Sequence, residues 1–318
     1  MKTAIITDSG ANLSQAFIKK HTNLFVIPLM ILVDGKSFRD QVEISAEEVY
    51  AQLDDKVITT SLPNMEDLTQ ILDKVKKDGY SDALVINISS GLSGTFNAFR
   101  IALEDVKGLK ITHYDTKTLG GGQGYIVEQA LELVLKGVSP KDIVEKLNEQ
   151  RFKDSLAIYT INTLKYLKRG GRIGKVEGTI GDILHIKPVI TVNDEGVYIT
   201  LSKAFGLQRS LLSMKDLMVK KFEGKKIDLT IHYGDDKEKA EQLGSMLSKV
   251  LDVRTLTISA LTPVLGIHTG PMMFAYVARV VKYRIQNSKK LLFFYSINIL
   301  YLIIIYVLEN TSKYKLNE

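Results

Sequence analysis

The chain has 318 residues, 45% hydrophobic and 25% charged, with a formal net charge of +6. This is globular composition with room for two domains, and it excludes a disordered chain, a collagen and a disulfide-stapled miniprotein. There is no cysteine, so disulfides, thiolate nucleophiles, Fe–S clusters and Cys-ligated zinc are excluded as well.

In chain order, Thr3–Ile6 reads as a strand, followed by the polar loop Thr7-Asp8-Ser9-Gly10 and an amphipathic helix over about Leu13–His21. The opening segment reaches Asp8 after one short apolar run and lacks the h-region of a signal peptide, which predicts a cytoplasmic protein. Phe25–Leu32, Asp34-Gly35 and Ser37-Phe38 together predict a hairpin, because Asp-Gly supplies the positive φ angles of a two-residue turn. Ser45-Ala46-Glu47-Glu48 has the form of a capping box. Asn64 opens a helix over Met65–Lys77 that Gly79 closes, and Ala83–Ile88 is apolar enough to be a strand buried on both faces.

The loop Ser89–Thr95 leads into a helix from Phe96 to Val106, and Lys110–Tyr114 is the next strand. Gly120-Gly121-Gly122-Gln123-Gly124 then precedes a helix over Tyr125–Leu135, and Ser139-Pro140 opens another. This β-loop-α alternation predicts an α/β fold. After Ser155–Ile161 the texture changes: a helical turn at Thr163–Lys168, Gly170-Gly171-Arg172, and a hairpin of Val189–Val192 with Val197–Leu201. A helix over Leu207–Phe222, a strand over Ile227–His232, an Asp235-capped helix, a strand over Val253–Ile258 and the apolar Met272–Val281 follow. The expected organisation is an N-terminal α/β domain (1–155), a second α/β domain (156–282) and a tail (283–318). The tail carries +3 of the net charge, leaving the body too nearly neutral for a nucleic-acid binder. Within the tail, Leu291–Leu308 has 18 residues without a charge, enough either to span a membrane or to pack as an apolar helix.

Ligand sites in open α/β sheets lie beyond the carboxyl ends of strands, where helix N-termini favour anions. Ser93 stands at such a place, able to cap the next helix or to donate to a carboxylate or phosphate. Thr60 and Ser61 precede another helix, His268 is expected on a turn, and Arg172 follows two glycines; each suits anion recognition. Gly91-Leu92-Ser93-Gly94-Thr95 misses the G-x-S-x-G nucleophile elbow at its last position, which counts against a hydrolase. A serine-dependent acyl hydrolase using Ser93 and His268 is nevertheless the alternative reading. Neither a P-loop nor a dinucleotide fingerprint is present, and the five histidines have no metal spacing, so neither a cofactor nor a metal is expected.

Together, Thr7-Asp8-Ser9, Thr60-Ser61-Leu62-Pro63, Ser89–Thr95, Asp115 with its glycine-rich sequel, Leu164–Ile173, Lys187-Pro188-Val189 and His268-Thr269-Gly270-Pro271 occur in the order that resembles the DegV family. The resemblance covers about residues 1–281. It implies two α/β domains with one long-chain fatty acid bound between them, acyl chain inward and carboxylate at the hydroxyl-bearing loops. It also implies a non-catalytic carrier that serves a separate fatty acid kinase subunit. Carried over by motif, Ser61 and Ser93 are the first carboxylate contacts, with Thr60, Arg172 and His268 in support. Two positions depart from the family pattern: Met272-Met273 replace further glycine, and Phe205 stands where a basic residue is common. The first bears on the tunnel wall and the second on kinase docking. The tail lies outside the pattern.

Overall fold

The computed structural model describes residues 2–176 and 186–282. Met1–Val281 form one compact unit. Its elements run β1 (Thr3–Asp8), α1 (Gln15–Lys20), β2 (Leu24–Ile27), β3 (Met30–Val33), β4 (Lys36–Arg39), α2 (Ala46–Tyr50), β5 (Ile58–Ser61), α3 (Met65–Lys77), β6 (Asp82–Asn87), α4 (Thr95–Leu103), β7 (Lys110–Asp115), α5 (Gly120–Leu135) and α6 (Pro140–Glu149). They continue with β8 (Ser155–Ile161), α7 (Lys165–Arg169), β9 (Ile186–Val192), β10 (Tyr198–Phe205), α8 (Leu207–Phe222), β11 (Lys226–Tyr233), α9 (Lys237–Ser248), β12 (Asp252–Ala260), α10 (Pro263–Thr269) and β13 (Met273–Val280).

Three sheets organise these elements, and the fold is α/β as the sequence predicts. A parallel sheet has the order β2-β1-β6-β7, and β6 at its centre is buried throughout. That is why its sequence is apolar without alternation. A mixed six-stranded sheet has the order β10-β9-β8-β13-β11-β12, and a small antiparallel sheet has β4-β3-β5. Helices α8 and α9 cover one face of the six-stranded sheet through Met214, Met218, Phe222 and Leu243. The largest apolar cluster lies against the other face and draws on Ile31 of β3, Val49 of α2, Tyr125 of α5, Tyr159 of β8 and Val264 of α10.

Several local expectations hold in detail. Asp34 and Gly35 both have positive φ in the β3–β4 turn, and Ser45 and Glu48 form the reciprocal capping box. Others change. The segment Phe25–Leu32 is two strands in different sheets, because Pro28 lacks the N–H needed to continue a ladder. The glycines from Gly120 onward belong to helix α5 itself. They are small because its first turns are crowded: a Cβ on Gly122 would stand 2.7 Å from Thr118 Oγ1, and one on Gly124 would stand 2.8 Å from the Ala11 carbonyl. Asp236, not Asp235, caps α9 by accepting from Lys239 N–H. His268 sits on the last turn of helix α10 rather than on a turn; Thr262-Pro263, with proline at the first helical position, was the available signal.

Asp40, 1% exposed, caps α10 from a distance, its Oδ1 accepting from Val264 N–H at 2.9 Å. Burial, the largest effect on it, pushes the carboxyl up to about 6. Its contribution is therefore full below the unfolded value of 3.8 and is lost as pH rises through about 6. Asp40→Asn keeps the acceptor without the charge. Urea titrations are expected to give it stability similar to the parent near pH 4 and an advantage of up to about 3 kcal/mol above pH 6, at about 1.4 kcal/mol per pH unit.

Candidate functional site

A cavity of about 330 Å³ opens among β5, the loop after β6, the start of α5, α10 and the six-stranded sheet. Thr60, Ser61, Ser93, Arg172 and His268 all line it, although they come from widely separated segments. β5 delivers Thr60 and Ser61 by pairing with β3, where Thr60 stands opposite Ile31 and Ser61 opposite Met30. Ser93 lies in the turn before α4, whose N-cap is Gly94. Arg172 follows α7 after Gly171, whose φ of +66° suits glycine.

The cavity has an open end and a closed one. Its exposed lining residues are Ser61, Leu62 and Gly94, with Leu62 46% exposed. Thr60, Ser93, Arg172 and His268 are half-buried. The remaining wall is largely apolar, with Leu29, Ile88, Leu261, Val264, Leu265, Met273, Ala275 and Val277 among its side chains. Across the six-stranded sheet, His232, Ala275 and Tyr159 stand in one row, His232 opposite Ala275 and Ala275 opposite Tyr159.

At the open end, Thr60 Oγ1 lies 3.1 Å from His268 Nε2. Ser93 Oγ accepts from Thr95 N–H at 3.2 Å and lies 2.9 Å from Thr95 Oγ1. Arg172 donates through Nη1 to the Gly170 carbonyl at 2.6 Å and through Nε to the Leu92 carbonyl at 3.4 Å. Those bonds go to neutral carbonyls, and among the described residues no carboxylate pairs with Arg172. Burial first, then the positive charges of Arg172 and Arg169, pushes His268 down to about 4, so its imidazole is neutral at pH 7. The open end thus combines hydroxyls, a neutral imidazole and a guanidinium that meets no carboxylate among the described residues, a set suited to one anionic head group.

The pairing that a serine hydrolase requires is not assembled: Ser93 is engaged with Thr95 and His268 with Thr60. Among the described residues there is no metal-binding group of His, Cys, Asp or Glu, and no helix is long and apolar enough to cross a membrane. Leu291–Leu308, expected to span a membrane or pack, lies outside the described residues, as does His185. Thr7-Asp8-Ser9 is structural in part: buried Asp8 accepts from the Asn87 side-chain Nδ2 and from Ile88 N–H, both at 2.9 Å, and thereby ties β1 to β6. The sequence did not single out Tyr159, Tyr198 or His232, which line the inner wall, because each reads as an ordinary core residue of a strand.

Comparison with known proteins agrees with this architecture. The profile of the family described as "Uncharacterised protein, DegV family" matches residues 2–280. A DegV domain-containing protein of Clostridium perfringens is 39% identical over 272 residues, covering 86% of this chain and 96% of its own length. Among solved structures, a fatty-acid-binding DegV family protein from Thermus thermophilus superimposes with a TM-score of 0.82 at 28% identity, over 88% of this chain and all of that one. A stearic acid-binding protein from Eubacterium ventriosum does so with a TM-score of 0.79 at 26% identity, over 88% of this chain and 98% of that one. The chain belongs to the DegV family.

Proposed function

We propose that this protein binds one long-chain fatty acid, acyl chain inside the cavity and carboxylate at the open end, and presents it to a separate fatty acid kinase. On this reading residues 1–155 and 156–282 act as two domains flanking the ligand. The observation that carries it is the separation of chemistry along the cavity. Ser61, Ser93, Thr60, His268 and Arg172 cluster where the lining is exposed, while a mostly apolar wall lies behind. The fatty acids bound by the solved relatives support it.

The energetics favour tight binding. About 14 methylenes at about 0.8 kcal/mol each give about 11 kcal/mol before ordering costs. The carboxylate meets donors that a methyl or hydroxymethyl head cannot fully use. Ser61 and Ser93 are its primary contacts, Thr60 and His268 act as a bonded pair, and Arg172 supplies the countercharge.

The test is a titration of delipidated protein with stearic acid and with the matching fatty alcohol. The acid is expected to bind about 10- to 100-fold tighter, from charge-assisted bonds worth about 1.5–3 kcal/mol. Equal affinities remove the carboxylate assignment, and no binding of either removes the proposal.

Phosphorylation of the bound acid is assigned to the partner, since the chain carries no nucleotide-binding motif. Incubated with fatty acid, ATP and Mg²⁺ alone, the protein is expected to form no acyl phosphate, as monitored by hydroxylamine trapping. Acyl hydroxamate formed without any kinase contradicts the carrier reading.

A further inference from the structure

The inner wall of the cavity holds a buried histidine that the carboxylate does not explain. His232 is 3% exposed and lines the cavity from β11. Its Nδ1 lies 3.2 Å from the Ser259 carbonyl. A carbonyl only accepts, so the ring proton sits on Nδ1. Burial holds the ring neutral, pushing its pKa down to about 4. Nε2 is therefore a lone-pair acceptor, and it is buried without a partner among the described residues. Leaving such a group unpaired costs about 1–3 kcal/mol.

Nε2 faces the beginning of α5, where a Cβ on Gly121 would stand 2.5 Å from it. Gly120 and Gly121 also line the cavity, and no side chain caps this helix. The first amides of a helix have no partner within it and present donors. An acceptor and uncapped donors thus converge on the same stretch of inner wall. Neither a methylene nor a carboxylate satisfies both, since a methylene bonds to neither and a carboxylate brings no proton for Nε2. A hydroxyl satisfies both, donating to Nε2 while accepting from an amide. No hydrogen bond joins this group to the Thr60–His268 pair or to Ser93, so it is a second polar subsite.

We propose that His232, with the first turn of α5, forms a subsite for a hydroxyl group carried on the acyl chain, so that the preferred ligands include hydroxylated long-chain fatty acids. This rests on the fatty acid reading above and deepens it. A water molecule is the competing occupant, because it offers the same donor and acceptor. Only a ligand hydroxyl changes the ranking of acids.

The experiment is a competition panel on the delipidated full-length chain. It compares stearic acid with hydroxystearic acids bearing the hydroxyl near the carboxylate, at mid-chain and toward the methyl end. One positional isomer is expected to bind about fivefold to tenfold tighter than stearic acid, the gain of about one net hydrogen bond. In His232→Leu the affinity ratio of that isomer to stearic acid should fall to about one, whatever the change in stearic acid affinity itself, and in His232→Gln, which keeps an acceptor, part of the ratio should return. Stearic acid binding with no isomer favoured overturns the subsite and leaves the fatty acid reading standing. An unchanged preference in His232→Leu also overturns it. Failure of every acid to bind overturns both readings. Should His232→Leu not fold, the panel on the parent protein decides alone.

Discussion

Removing the Ser61 and Ser93 hydroxyls together is expected to weaken long-chain fatty acid binding by about 3–6 kcal/mol, at about 1.5–3 kcal/mol for each bond to a charged group. That is a loss of about two to four orders of magnitude. The fold should persist. Ser61 is exposed and lies at the end of an edge strand, and the local partner lost with Ser93 is confined to Thr95. Each single substitution should cost less than half of the double, because the other serine remains to hold a shifted carboxylate. Fluorescent fatty acid displacement measures all three proteins. Unchanged affinity in the Ser61→Ala, Ser93→Ala protein rejects these residues as the carboxylate contacts.

Filling the inner cavity is expected to have a comparable effect from the other end of the ligand. Ala275 occupies the centre of the row His232–Ala275–Tyr159 on the sheet face that lines the cavity. An aromatic ring in Ala275→Phe takes space that about four methylenes would use, a loss of about 3 kcal/mol at about 0.8 kcal/mol per methylene. Stearic acid affinity should therefore fall more than about 100-fold, while an acid shorter by several carbons loses much less. Urea unfolding of the unliganded protein checks that the ring fills empty space rather than disrupting the sheet. Equal losses for long and short acids contradict an inward acyl chain.

Much of this architecture was legible because its signals are local. The unbroken apolar run of β6, the Asp34-Gly35 turn and the Ser45–Glu48 box each depend on a few adjacent residues. The open end was legible for a different reason: hydroxyls before helices and an arginine after glycines are polar choices that packing does not explain. The inner wall was not legible, since Leu265, Val277 and Ala275 have the same composition whether they enclose core or cavity. His232 in an apolar strand reads as a core histidine until its neighbours are known. The glycine run misled because it stands where helix α5 passes close to Thr118, Ala11 and His232, contacts made by residues distant in sequence. Pro28 was visible, but only tertiary pairing shows that the strands on either side of it enter different sheets.

The central claim is that a long-chain fatty acid occupies the cavity. It is tested most directly by organic extraction of the protein as purified, followed by mass spectrometry of the extract against protein concentration. The account predicts close to one long-chain fatty acid per chain, retained through gel filtration and displaced by added competitor acid. Repeated preparations that carry no fatty acid and take none up on incubation would contradict it.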